Sequence, residues 1–73
     1  MKLSDVARAY VASVELEERV RSEAPALSEE ISVLRADLHA LLMESLRENH
    51  VPFADRSDAA RIAFELTHQP TAP

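Results

Sequence analysis

The 73-residue chain contains no glycine, so every turn must be built from residues that carry a side chain. The left-handed conformation that ends many helices then falls to residues such as asparagine, and prolines become the main helix breakers. Pro25 and Pro52 divide the chain into three segments in which apolar residues recur every three or four positions. This pattern predicts an all-α fold, a compact three-helix single domain with a short turn helix as an optional fourth.

The helix boundaries follow from this periodicity and from the prolines. Helices are predicted over residues 5–23, 29–48 and 56–67, because a residue that precedes proline is disfavoured in the α conformation. Together they form one domain over residues 1–68. The remaining residues, 69–73, contain prolines and no apolar anchor, and we expect a disordered tail.

Polar residues near these boundaries are the candidate caps. Ser4 and Ser28 are predicted to cap the first two helices, and Asp55 or Ser57 the third, because their side-chain oxygens can accept bonds from first-turn amides. Asn49 tolerates the left-handed conformation and is predicted to end the middle helix.

The first helix has one broad apolar side and a charged second half. We expect Glu15–Arg19 and Glu17–Arg21 to be solvated surface pairs that contribute only tenths of a kcal/mol each. The residues predicted to face the core are Leu3, Val6, Tyr10, Ser13, Val14, Leu16 and Val20.

The middle helix has two apolar faces, which predicts that it lies between the other two helices. Val51 and Phe53, in the corner after it, are predicted to close the end of the bundle. One face, expected against the first helix, comprises Ile31, Leu34, Leu38, Leu41 and Ser45, widened by Leu42 and Leu46. The other, expected against the third helix, comprises Val33, Ala36, Ala40 and Met43.

Composition argues against several classes of function. The net charge of −5 opposes binding to phosphates, so we expect no direct contact with nucleic acid. No apolar run is long enough to span a bilayer, and cysteine is absent. The three histidines lack metal-site spacing, and Glu65-x-x-His68 is only half of a di-iron ligand set. We therefore expect a cytoplasmic protein that is not an enzyme and that uses no metal or cofactor.

An acidic ridge runs along the middle helix between its two apolar faces. Its members, Glu30, Asp37, Glu44 and Glu48, are spaced seven, seven and four residues apart, which places them within about 40° of one another. Residues 25–50 carry a net charge of −3 of the total −5. The ridge is either a solvated face that keeps a leucine-rich helix soluble or a surface for a basic partner.

A second candidate contact patch lies at the start of the first helix. Tyr10 is the only tyrosine of the chain, and tyrosine is enriched among interface hot spots. With Leu3 and Val6 it forms an apolar end that we expect to be available to a partner, and Asp5 is the charged residue included in this patch.

In length and helical layout, from "MKLSDVARAY" to "THQPTAP", the whole chain resembles small bacteriophage transcription regulators that bind host RNA polymerase. The resemblance implies a protein that binds polymerase in the host cytoplasm, hinders initiation by displacing the sigma factor, and promotes antitermination. It matches no motif residue by residue, so no functional position is transferred.

Three functions remain open at this point. The first is a monomeric regulator that binds a larger protein through the ridge or the Tyr10 patch. The second is a homodimeric adaptor or structural protein that pairs through Val33, Ala36, Ala40 and Met43. The third is an acidic nucleic-acid mimic that inhibits a DNA- or RNA-binding protein.

Overall fold

A computed structural model describes residues 2–68 and contains three α-helices. They are α1 (Leu3–Glu23), α2 (Ser28–Glu48) and α3 (Arg56–His68), and a short 3-10 turn, Pro25–Leu27, joins the first two. No strand occurs within these residues. The predicted all-α three-helix domain is confirmed, and each helix bound lies within two residues of its predicted position. The predicted disordered tail, 69–73, lies outside the described residues.

Two of the predicted N-caps are wrong. Helix α1 begins one residue before Ser4, at Leu3, and its cap residue Lys2 makes no side-chain capping bond. Ser28 already lies in the first turn of α2, because the 3-10 turn runs directly into the helix. Its hydroxyl therefore donates backwards to the Pro25 carbonyl, at 2.8 Å. The third prediction is confirmed, since the Asp55 carboxylate accepts from the Asp58 N–H at 2.8 Å.

The corner after α2 forms a left-handed turn, but at His50 and not at Asn49. His50 has φ of 58°, whereas Asn49 has φ of −94°. The Val51 N–H bonds to the Leu46 carbonyl at 2.9 Å, and the His50 N–H bonds to the Arg47 carbonyl at 3.1 Å. This pair of bonds is a Schellman motif, in which glycine is the usual left-handed residue. The Asn49 side chain instead donates to the Ser45 carbonyl at 2.8 Å.

The central helix is α1, and the prediction that α2 lies between the other two is wrong. α1 packs against both α2 and α3 more extensively than these pack against each other. Its buried residues cover about half of its circumference, because Ala7 and Val11 extend the predicted face sideways. The core cluster comprises Val6, Ala7, Tyr10 and Val11 of α1, Leu42 and Leu46 of α2, and Ala59 and Ala63 of α3.

Several predicted core residues lie at the surface. On α1, Leu16 is exposed, whereas Leu3 and Val14 are half-buried and pack against the core cluster as predicted. On α2, the Val33, Ala36, Ala40 face does not pack against α3, and only Met43 of that set reaches the core. Val51 and Phe53 do pack against the cluster as predicted. The inward side of α2 is narrower than predicted because a single helix, α1, covers most of it.

A polar tie connects α1 to α2 through Glu17, which was predicted to be solvated and is instead buried. Its carboxylate accepts from the Ser32 hydroxyl at 2.5 Å and from Arg35 Nε at 3.0–3.1 Å, and it pairs with Arg21 at 3.6 Å. The hydrogen bonds from Ser32 and then Arg35 lower the pKa of Glu17 below its ordinary value.

A second polar tie connects α2 to α3 through the buried side chain of His39. Its Nε2 lies 2.9 Å from the Arg56 carbonyl oxygen, and its ring lies 5.0 Å from that of Tyr10. Because a carbonyl oxygen can only accept, Nε2 must carry the proton. This bond fixes the start of α3 against the first two helices.

Candidate protein-binding surface

The acidic ridge, Glu30, Asp37, Glu44 and Glu48, lies on the outer side of α2, and all four side chains are exposed. They point away from Leu42 and Leu46, which are fully buried on the opposite side of the helix. The alignment predicted from their spacing is therefore present on the surface of the folded chain.

No member of the ridge takes part in a salt bridge anywhere in residues 2–68. Some acids outside the ridge do have partners, since Glu17 pairs with Arg35, and Asp58 and Glu65 both pair with Arg61 at 2.6 Å. Glu29, in the first turn of α2, likewise takes part in no salt bridge, so the ridge together with Glu29 carries the uncompensated negative charge of this helix within the described residues.

Arg47 is the nearest basic residue along the sequence, and it is directed elsewhere. Its guanidinium carbon lies 5.4 Å from the centre of the Phe53 ring. An exposed cation–π contact contributes about 0.5–1 kcal/mol, compared with about 0.2–0.5 kcal/mol for a helical ion pair. The aromatic contact is thus the stronger of the two alternatives open to Arg47.

Exposed apolar residues border the ridge on both sides. Leu34 and Leu41 are 45% and 40% exposed on one side, and Val33 is 57% exposed on the other, next to exposed Ala36 and Ala40. The outer face of α2 therefore combines uncompensated charge with large apolar side chains. Exposed apolar side chains that lie close together are one mark of an interaction surface.

The other candidate patch is not presented to a partner. Val6 and Tyr10 are only 1% and 4% exposed, because both side chains form part of the core. Leu3 is half-buried, and the exposed carboxylate of Asp5 lies 3.9 Å from Arg8. The prediction of an available apolar end on α1 is corrected accordingly, and Tyr10 is a core residue whose ring packs on His39.

The remaining polar groups serve local structure. The Asp58 carboxylate accepts from the Ala54 N–H at 2.8 Å, and this bond, followed by that from Arg61, lowers its pKa. Glu65 is engaged by Arg61, and His68 Nδ1 lies 2.8 Å from the Phe64 carbonyl oxygen. Within residues 2–68, no group of three or more potential ligands is placed to hold a metal ion.

The described helices include none that combines the length and apolar character required to cross a bilayer. Comparison of the chain with protein-family models, curated proteins and solved structures gives no match. The functional assignment therefore depends on the chemistry of the α2 surface.

Proposed function

We propose that the protein is a non-enzymatic regulator that binds a larger protein through the outer face of α2. The observation that carries this proposal is the exposed acidic ridge, which has no salt bridge within the described residues and is bordered by Leu34, Leu41 and Val33. A basic or mixed surface would relieve the repulsion between neighbouring carboxylates and cover the apolar borders at the same time.

The partner we propose is bacterial RNA polymerase, following the resemblance to small phage regulators in length and helical layout. Binding would inhibit initiation by hindering the sigma factor and would promote antitermination, in the cytoplasm of the host. The acidic face supports a protein partner over a nucleic acid, because a phosphate backbone would be repelled by it.

Capture from a bacterial extract tests this proposal. The immobilised protein should retain polymerase subunits, and the variant Glu30→Gln, Asp37→Asn, Glu44→Gln, Glu48→Gln should lose them. A control with the same change in net charge replaces four exposed acids outside the ridge, Glu15, Glu18, Glu23 and Glu29, with Gln. Equal loss in both variants would show that only net charge matters, and retention in both would remove the ridge from the interface.

Salt dependence provides a second measurement on the same complex. Screening lengths fall from about 10 Å at 0.1 M to about 3 Å at 1 M ionic strength, so binding through exposed charges should weaken steeply over this range. Affinity that is unchanged by salt would contradict a role for the ridge. Transcription from a sigma-dependent promoter, with and without added protein, would then test inhibition directly.

A homodimeric adaptor is the second candidate, and the exposure of Val33, Ala36 and Ala40 favours it. In a symmetric pair centred on this face, however, the ridges of the two copies would lie near each other and repel. Light scattering over a concentration series distinguishes the two, because the regulator should remain a monomer. Replacing Ala40 with Arg should abolish any dimer.

The charge density of the ridge is too low for a good nucleic-acid mimic. Its 19 positions, 30–48, span about 27 Å from end to end, over which duplex DNA carries about 16 phosphates. Four carboxylates are present over this length. Failure of the protein to compete with DNA for any DNA-binding partner it captures would exclude mimicry.

A further inference from the structure

An open pocket with a volume of about 650 Å³ lies at the corner where α2 ends and the chain turns toward α3. Val51 and Phe53 are half-buried and pack against the core cluster, so they form its deeper part. The full lining comprises Arg47, His50, Val51, Pro52, Phe53 and Ala54. None of these residues is acidic, although the net charge of the chain is −5. The corner pocket is therefore a place where the lining does not repel an anion.

Arg47 brings to the corner pocket a cation that has no carboxylate partner. It forms no salt bridge within residues 2–68, although Glu44 and Glu48 lie three and one positions away in sequence. Its guanidinium carbon lies over the Phe53 ring, 5.4 Å from the ring centre. A cation–π contact of this kind uses the charge of the guanidinium and not its N–H donors. Phe53 therefore holds Arg47 in place while its donors stay available to an acceptor.

His50 is a second and independent indication of a site. Its φ of 58° is the only positive φ in residues 2–68. This conformation costs free energy in a residue that carries a Cβ, and strained residues cluster at functional sites. Asn49 tolerates the conformation and lies next to it, yet has φ of −94°. The corner thus places in the lining a histidine, whose ring carries at least one N–H donor in either charge state.

The lining also limits the class of ligand. One guanidinium carries a single positive charge, and Glu48 is the next residue along the chain, so a monoanion suits the pocket better than a phosphate dianion. The two oxygens of a carboxylate match the fork of N–H donors on arginine. The other lining residues, apart from His50, are apolar, so a ligand with an apolar body contacts more of the pocket than a bare ion does. Sites for small molecules usually measure about 300–1,000 Å³, a range that includes this pocket.

We infer that the corner pocket binds a monocarboxylate with a compact apolar body, such as an aromatic acid. The carboxylate accepts hydrogen bonds from the Arg47 guanidinium and the His50 imidazole, and the body packs on Val51 and Pro52. The same chemistry occurs in a free aromatic acid and at the carboxyl terminus of a peptide that ends in phenylalanine. The pocket lies outside the acidic ridge, and the inference does not depend on the proposed function.

NMR titration of the full chain, labelled with ¹⁵N, tests this inference. Benzoate represents the free acid, and an acetylated tripeptide with a C-terminal phenylalanine represents the peptide terminus. At millimolar concentration these acids should shift the amide resonances of His50, Val51 and Phe53. Benzamide and the amidated tripeptide keep the shape without the charge, so each should bind at least about tenfold more weakly than its acid. Acetate has the charge without the apolar body and should also bind more weakly than benzoate.

Variants assign the effect to the corner pocket. Arg47→Gln should abolish the shifts. His50→Gly should weaken binding about two- to tenfold, as expected for loss of one hydrogen bond, and glycine suits the left-handed turn, so the fold is kept. Arg19→Gln makes the same change in net charge as Arg47→Gln and should leave the shifts unchanged. Arg19 is a matched control because it is exposed on α1, forms no salt bridge within the described residues and does not line the pocket.

The two acids identify the source of the carboxylate. Tighter binding of benzoate supports a free small acid as the ligand, and tighter binding of the tripeptide supports the carboxyl terminus of another protein. Absence of shifts with both acids would overturn the inference, as would equal shifts with the amides or with acetate. Equal loss of binding in Arg47→Gln and Arg19→Gln would also overturn it, because the effect would then come from net charge alone.

Discussion

Replacing Leu42 with alanine tests the orientation of α2 most directly. Leu42 is 0% exposed and packs in the core cluster with α1 residues. Truncating a fully buried leucine removes the transfer free energy of its methyl groups and leaves a cavity, which together cost about 2–5 kcal/mol. A domain of this length has a total stability of about 4–11 kcal/mol, at about 0.05–0.15 kcal/mol per residue. The variant should therefore lose a large part of its free energy of unfolding.

Leu41, the neighbouring leucine, is a matched control because the same substitution is made one position away. It is 40% exposed, and its truncation leaves an open surface and no enclosed cavity. Leu41→Ala should cost about 1 kcal/mol or less. Both residues were assigned to the same apolar face from sequence, so the difference between them is a property of the folded structure.

The measurement is urea unfolding followed by far-UV circular dichroism, with a two-state fit for each protein. The midpoint of Leu42→Ala should fall far below that of the natural chain, and the midpoint of Leu41→Ala should stay close to it. Equal losses in the two variants, or a larger loss in Leu41→Ala, would show that α2 is rotated relative to the arrangement described above.

Three further predictions concern the left-handed turn at His50, the buried Glu17 carboxylate and the contact between α1 and α3. His50→Gly should raise the free energy of unfolding by up to about 1 kcal/mol, because it removes the cost of a left-handed residue with a Cβ, whereas His50→Val should lower it; urea midpoints would decide. Since the folded state lowers the pKa of Glu17 from 4.5, its contribution to stability is present above that pH and is lost as the pH falls through the folded-state value. The difference in free energy of unfolding between the natural chain and Glu17→Gln should accordingly shrink on acidification. A difference that is constant with pH would contradict the bonds assigned to Glu17 with Ser32 and Arg35. Ala63→Leu should cost about 1–3 kcal/mol by overpacking the contact between α1 and α3, whereas Ala36→Leu on the exposed face should change stability by less than about 0.5 kcal/mol; equal thermal midpoints for the two would refute this packing.

The helices could be predicted from sequence because periodicity and proline placement are local properties. The acidic ridge was predictable for a related reason, since spacings of seven and four residues place side chains on one side of any α-helix. Burying four unpaired carboxylates would also be costly, which directs that side outward. Its role in binding stays a prediction.

The arrangement of the helices could not be predicted in the same way. Two apolar faces on α2 suggested a central position, but small residues on the other helices decide the packing. Ala7 on α1, and Ala59 and Ala63 on α3, are 0% exposed, and their small side chains allow close approach of the two helices. Hydrophobicity patterns give little weight to alanine, so the broad buried side of α1 was underestimated.

The buried polar residues depend on partners that are distant in sequence. Glu17 is bonded to Ser32 and Arg35, and His39 to the backbone of Arg56. The sequence predicts a solvated pair between Glu17 and Arg21, because helical spacing identifies only partners three or four positions away.

We expect the contact between Arg47 and Phe53 to influence the electric potential of α2 from the corner loop. The Arg47 guanidinium lies against the Phe53 ring, and without that contact it could approach Glu44, three positions earlier on the helix. A substitution such as Phe53→Ala would release that cation and partly cancel the negative field, although the altered residue touches no partner. Attraction for a positively charged surface can thus be tuned from a position at the end of the bundle.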